Sequence, residues 1–254
     1  MRVIQVAVHT LKETIRDRVF AASLVFAAII IAGSAAVSPL AAGQRDKVVK
    51  DVGLASIAGI GVFVAVFVGT SLLHREMDKR TIYTLLARPV SRTQYLLGKY
   101  LGIVFTLGLN VAAMGAIFAL LVGFHLRSLE AVHFAAIYLI AVELAVLASF
   151  SIFFSVVSSP ALAGLFTLSV FLVGHLARDV QRFAALLPPG AGRFAARAAA
   201  FILPDLELFN VKGIAVYGKP VPYYLLLWAT VYGIGLISAA LLAATAAFRR
   251  KDLP

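Results

Sequence analysis

A chain of 254 residues that is 61% hydrophobic and 14% charged falls well below the roughly 25% charge of soluble domains, and its balance points to a polytopic membrane protein. A net charge of +11 with a pI of about 10.2 would suit nucleic acid in a soluble protein. Here the basic residues flank apolar runs, which suits membrane orientation and anionic headgroups and argues against a nucleic-acid partner; the absence of cysteine excludes disulfides and thiolate metal sites.

Met1 to Arg18 alternates at helical spacing. Ile4, Val8, Leu11 and Ile15 form one face, with Arg2, Gln5, His9, Lys12, Glu13, Arg16 and Asp17 on the others. This predicts an interfacial helix over 1–18, lying on the cytoplasmic leaflet. The apolar run that follows is longer than the roughly 7–15 residues of a signal-peptide core, so it is expected to stay as an anchor. It forms the first span, 19–40, and a short polar loop at 41–52 leads into the second span, 53–73.

The stretch His74 to Gly102 (HREMDKRTIYTLLARPVSRTQYLLGKYLG) carries six of the 23 Lys and Arg residues. Ile82, Leu85 and Leu86 share one face of a short helix predicted over 81–87. Pro89 biases Arg88 away from helix and should end it. Ser91 with Gln94 forms a capping box that opens the next helix, and Val90 and Tyr95 sit where a hydrophobic staple would place them. The alternative is an ordinary solvated loop.

The third span is expected at 101–124, joined to the helix begun at Arg92. A second outer loop at 125–133 leads to the fourth span, 134–157. Ser158, Ser159 and Pro160 turn the chain into the fifth, 161–177. Residues 178–222 form the longest polar segment, within which Gly192 to Leu203 reads as an amphipathic helix between Pro188-Pro189-Gly190 and Pro204. The sixth span is 223–248, followed by Arg249, Arg250 and Lys251. Six spans put both ends on one side. The N-terminal, central and C-terminal segments carry 13 Lys and Arg against 10 in the other loops, which favours cytoplasmic termini.

No Walker A pattern is present, and His74-Arg75-Glu76 lacks the second histidine of a zinc helix, since Asp78 stands there. Glu143 is the one ionisable residue well inside a predicted span. Ionised at mid-bilayer it would cost about 2.5–3.5 kcal/mol, so it faces protein or water or is protonated. It reads either as a pathway or proton-coupling carboxylate or as a structural hydrogen-bond partner. Asn110 is a weaker instance, read as interhelical glue. Gly98 and Gly102 form a GxxxG, which fits close helix packing or a dimer seam.

The central stretch resembles the signature region of ABC-2 type ABC transporter permeases. Glu76 ends the second span, followed by Thr81, the pair Leu85-Leu86, the corner Pro89-Val90-Ser91-Arg92 and the opening Leu97-Gly98-Lys99. Arg80 stands where the family usually has glycine. The segment Leu203-Pro204-Asp205-Leu206-Glu207-Leu208-Phe209-Asn210 is similar to the outer loop of the multi-copper enzyme maturation branch. The resemblance implies a single all-α permease domain over 1–254, with an interfacial connecting helix and a coupling helix at 81–87. It implies a transmembrane subunit, itself non-catalytic and free of bound cofactor, in a bacterial inner-membrane exporter. Its partners would be two ABC ATPase subunits holding ATP and Mg, a second permease copy or a relative, and membrane lipids; the long outer loop permits an accessory protein. Glu76, Thr81, Ile82, Leu85, Leu86, Arg88, Pro89 and Arg92 would form the ATPase-coupling surface. Two other readings use Glu143: a proton-coupled secondary transporter and a membrane-embedded lipid-modifying enzyme.

Overall fold

The computed structural model describes residues 2–37, 44–78, 91–188 and 190–250. Among them the chain is all-α, and six helices are long and apolar enough to cross a membrane. In chain order the helices are α1 (Arg2–Ile15), α2 (Arg18–Val37), α3 (Arg45–Asp78), α4 (Arg92–Leu120), α5 (Ala131–Val157), α6 (Pro160–Leu186), α7 (Ala191–Ile202), α8 (Lys212–Val216) and α9 (Tyr223–Arg250). A π-helical turn, Leu121–Leu126, extends α4, and a 3₁₀ turn, Leu206–Phe209, precedes α8. The spans are α2, α3, α4, α5, α6 and α9.

The helix α5 is the axis of the bundle. Its buried residues run from Val132 to Val156 and fall on every side, the signature of a helix hydrophobic all round. It packs against α3, α4, α6 and α9. Glycine lets the neighbours approach: a Cβ at Gly233 of α9 would stand 2.9 Å from Val142 Cγ1, and one at Gly115 of α4 would press on Ile137. The span α2 leans on α3 and α4 and leaves Val25, Phe26 and Ile29 exposed, as lipid-facing side chains would be.

The helices are longer than their apolar runs. Arg45, Asp46, Lys47, Lys50 and Asp51, expected in a loop, lie in the first turns of α3. Asp46 suits the positive end of that helix, Lys47 sits 4.8 Å from the centre of the Tyr217 ring, and Lys50 is buried. The fifth span, expected to stop at Ala177, continues as α6 to Leu186. Arg178, Asp179 and Arg182 end the hydrophobic run without ending the helix, because each charge has a partner: Arg178 with Asp205, and Arg182 with Asp179 one turn away.

The polar segment expected as an outer loop folds back into the bundle. The 3₁₀ turn Leu206–Phe209 lies against α5 and α6, with Leu206 and Phe209 fully buried. The turn that follows α8 is a Schellman closure on Gly218 (φ +65°), with Lys219 N–H donating to Ile214 O and Gly218 N–H to Ala215 O, both at 3.1 Å.

Candidate functional site

Three places gather the residues singled out by the sequence. The first is the entry to α4. The sequence-predicted coupling residues Thr81, Ile82, Leu85, Leu86, Arg88 and Pro89 lie outside the described residues. Glu76 falls in the last turns of α3. The capping box is formed: Gln94 N–H donates to Ser91 Oγ and Ser91 N–H to Gln94 Oε1, each at 3.2 Å. Arg92 turns toward the last helix. Its Nη1 donates to Phe248 O at 2.8 Å and Arg249 O at 3.3 Å, its guanidinium lies 5.6 Å from the Phe248 ring centre, and Arg249 Nη2 reaches Thr93 Oγ1 at 3.4 Å. These carbonyls belong to the last described turn of α9, so Arg92 supplies that turn with a donor from another helix.

The second place is the joint between α1 and α4. Gly98 and Gly102 face α1 within the same chain. A Cβ at Gly98 would stand 3.0 Å from Val3 O, and one at Gly102 would stand 2.8 Å from Ala7 O and 2.5 Å from Thr10 Cβ. The face of α1 that enters this seat is small and polar: Ala7, Thr10 and Thr14 are buried. Thr14 Oγ1 satisfies itself on Thr10 O at 2.8 Å, and buried Lys99 reaches Glu13 at 3.9 Å. The apolar stripe Ile4, Val8 and Ile15 is left exposed on the other side. An interfacial helix would turn this stripe to the lipid.

The third place is the interior. Glu143 on α5 is 2% exposed, and its Oε1 lies 3.5 Å from His175 Nε2 on α6. His175 Nδ1 is 3.0 Å from Phe171 O. One turn further along α6, Arg178 Nε donates to Asp205 Oδ2 at 2.9 Å. Asp205 N–H donates to Tyr232 Oη of α9 at 2.8 Å. Glu207 and Lys212 lie within electrostatic reach of Glu143, and Glu207 accepts from Asn210 Nδ2 at 3.0 Å. Asn110 stands apart from this cluster: its Nδ2 donates to Ser23 Oγ of α2 at 2.8 Å, in a buried contact. His175 and Tyr232 escaped the sequence reading, which took Arg178 only as the start of the polar segment and Asp205 only as part of a loop resemblance. The available signal was that 175, 178 and 182 follow helical spacing, which carries a polar stripe past the end of the hydrophobic run.

Six long apolar helices around a buried axis define a polytopic membrane protein. The family model for ABC-2 family transporter proteins matches residues 4–187, and the chain belongs to that family. A search of curated proteins finds no match to this chain. The family makes the chain the transmembrane component of an ABC transporter, a machine that includes ATPase partner subunits. The match takes in α1 through α6 and therefore both the α1–α4 joint and the Glu143–His175 pair.

Proposed function

We propose that the chain forms half of the translocation path of a bacterial inner-membrane exporter, driven by two partner ATPase subunits that hold ATP and Mg. The second half is another copy of the chain or a related permease. Both termini and residues 79–90 face the cytoplasm, as the distribution of Lys and Arg favours.

One observation carries the reading. The long helix α3 ends at Asp78 and α4 restarts on the capped Ser91, so the intervening segment is anchored by two spans that pack on each other and on α5. The entry to α4 is the same end of the bundle at which α1 is seated and α9 terminates. A partner that displaced this segment would move the ends of both spans. Such motion shifts a population between two arrangements of the path when the partner's nucleotide states bind them unequally.

Within segment 79–90, Ile82, Leu85 and Leu86 supply apolar contact and Arg88 supplies orienting charge. Leu85→Asp combined with Arg88→Glu is expected to abolish copurification of the ATPase that accompanies the unmodified chain. Retention of that ATPase at the original level would refute the proposed docking segment. Loss of transport in Glu143→Gln with the ATPase still bound would instead favour the proton-coupled alternative, which the buried Glu143–His175 pair keeps in view.

A further inference from the structure

The helix α9 has two attachments far apart. At its C-terminal end, Arg92 from the first turn of α4 holds the carbonyls of Phe248 and Arg249, and Tyr95 stacks on Phe248 with ring centres 6.4 Å apart. Near its middle, Tyr232 and Gly233 hold the 3₁₀ turn: Tyr232 Oη accepts from Asp205 N–H, its ring lies 6.2 Å from Phe209, and a Cβ at Gly233 would meet the Phe209 ring at 3.5 Å. The two attachments are sixteen residues apart along one helix, about 24 Å at the rise of an α-helix. The turn is seated from the other side by α6, where Gly174 makes room for Leu206 and Pro204 O, and where Arg178 pairs with Asp205. It lies at the level of Glu143, since Gly174 adjoins His175 and Gly233 adjoins Val142. Residues 206–209 therefore form a plug inserted among α5, α6 and α9.

We propose that Arg92 is a positioning residue that ties the start of α4 to α9, so that displacement of the start of α4 travels along α9 and unseats the Leu206–Phe209 plug. This rests on the reading that a partner acts on segment 79–90. The guanidinium suits the task because it is planar, remains charged, and meets both the helix-end carbonyls and an aromatic face. The plug is sensitive to small axial shifts: moving α9 by about 1 Å can stretch the Asp205–Tyr232 bond beyond hydrogen-bonding range. A stiff helix with one discrete contact at its C-terminal end and another near its middle gives the coupling a physical route rather than mere proximity.

The chain has no cysteine, so a Leu208→Cys background reports on the plug through the rate of labelling by a water-soluble maleimide in membrane vesicles. Leu208 is partly buried against the core. Arg92→Ala is expected to raise the rate at least threefold, and Tyr232→Phe to raise it as well. If both act on one linkage, the double variant labels no faster than the faster single variant. Effects that multiply would overturn the proposal, as would an unchanged rate in Arg92→Ala. Should Arg92→Ala fail to assemble, Arg92→Gln, which keeps a donor but loses the charge, takes its place, and parental labelling would again overturn the proposal. No ATPase enters this assay, so its failure leaves the docking test above standing, and the converse also holds.

Discussion

The seat of α1 on α4 gives the sharpest stability prediction. Gly102 faces Ala7 O and Thr10 Cβ, while Gly108 on the same helix has nothing within 4 Å of an added Cβ. Gly102→Val forces two helix backbones apart, because a carbonyl cannot rotate away as a side chain can; overpacking of this kind costs about 1–3 kcal/mol. Valine regains a few tenths of a kcal/mol in helix propensity over glycine at either site. Gly108→Val should therefore be near neutral, and Gly102→Val should lose about 1–3 kcal/mol. At 2–4 °C per kcal/mol for a chain near this size, that is a fall in Tm of roughly 2–12 °C. The assay is thermal unfolding of the purified chain in detergent, followed by loss of the monodisperse peak, with both variants run beside the parent. Equal Tm values for the two variants would refute the seat, and with it the assignment of the GxxxG to packing within one chain.

Two further variants test the interior. His175→Leu removes the polar group nearest Glu143 Oε1, 3.5 Å away, and leaving a buried polar group without a partner costs about 1–3 kcal/mol; adding Glu143→Gln should recover part of the loss, and thermal unfolding that shows the double variant worse than His175→Leu would contradict the pairing. Asn110→Leu removes one interhelical hydrogen bond, of a kind worth about 0.6 kcal/mol on average, so Tm should fall by only a few degrees, and it should fall no further in a Ser23→Ala background if the Asn110–Ser23 contact is the one lost.

The elements whose cause is local were legible in the sequence. Ser91 and Gln94 specify their capping box without help from the rest of the chain. The six apolar runs specify six helices, because each satisfies its own backbone within the span. What the sequence hid depends on a second element. The charges at Arg178 and Asp179 looked like the edge of the membrane because Asp205, which pairs with Arg178, comes 27 residues later. Gly98 and Gly102 carried no label for their partner, and a dimer seam or an intrachain seat would have written the same motif; Val3, Ala7 and Thr10 decide it. The opposite face of α1, Ala7, Thr10 and Thr14, gave no sign that it would be buried against α4. Arg92 read as part of the ATPase-coupling surface, and nothing in the sequence signalled that it also hydrogen-bonds carbonyls 156 and 157 residues away.

Depth along α6 constrains which face of the bundle meets lipid. The helix has 27 residues, about 40 Å, and Glu143 and His175 meet near the middle of both α5 and α6. Asp179 and Arg182 then lie about 9 and 13 Å from that middle, inside the roughly 15 Å half-thickness of the hydrocarbon layer for an untilted helix. Their side chains are 64% and 79% exposed and pair with each other at 3.3 Å. Facing acyl chains, each ionised group would cost about 2.5–3.5 kcal/mol, and a single exposed pair does little to offset that. This side of α6 is therefore turned toward water or toward another protein chain. It is also the helix that seats the plug and carries His175 and Arg178. The polar stripe of α6, partly buried at 175 and 178 and open at 179 and 182, thus runs along the side of the bundle that water or a second chain would meet.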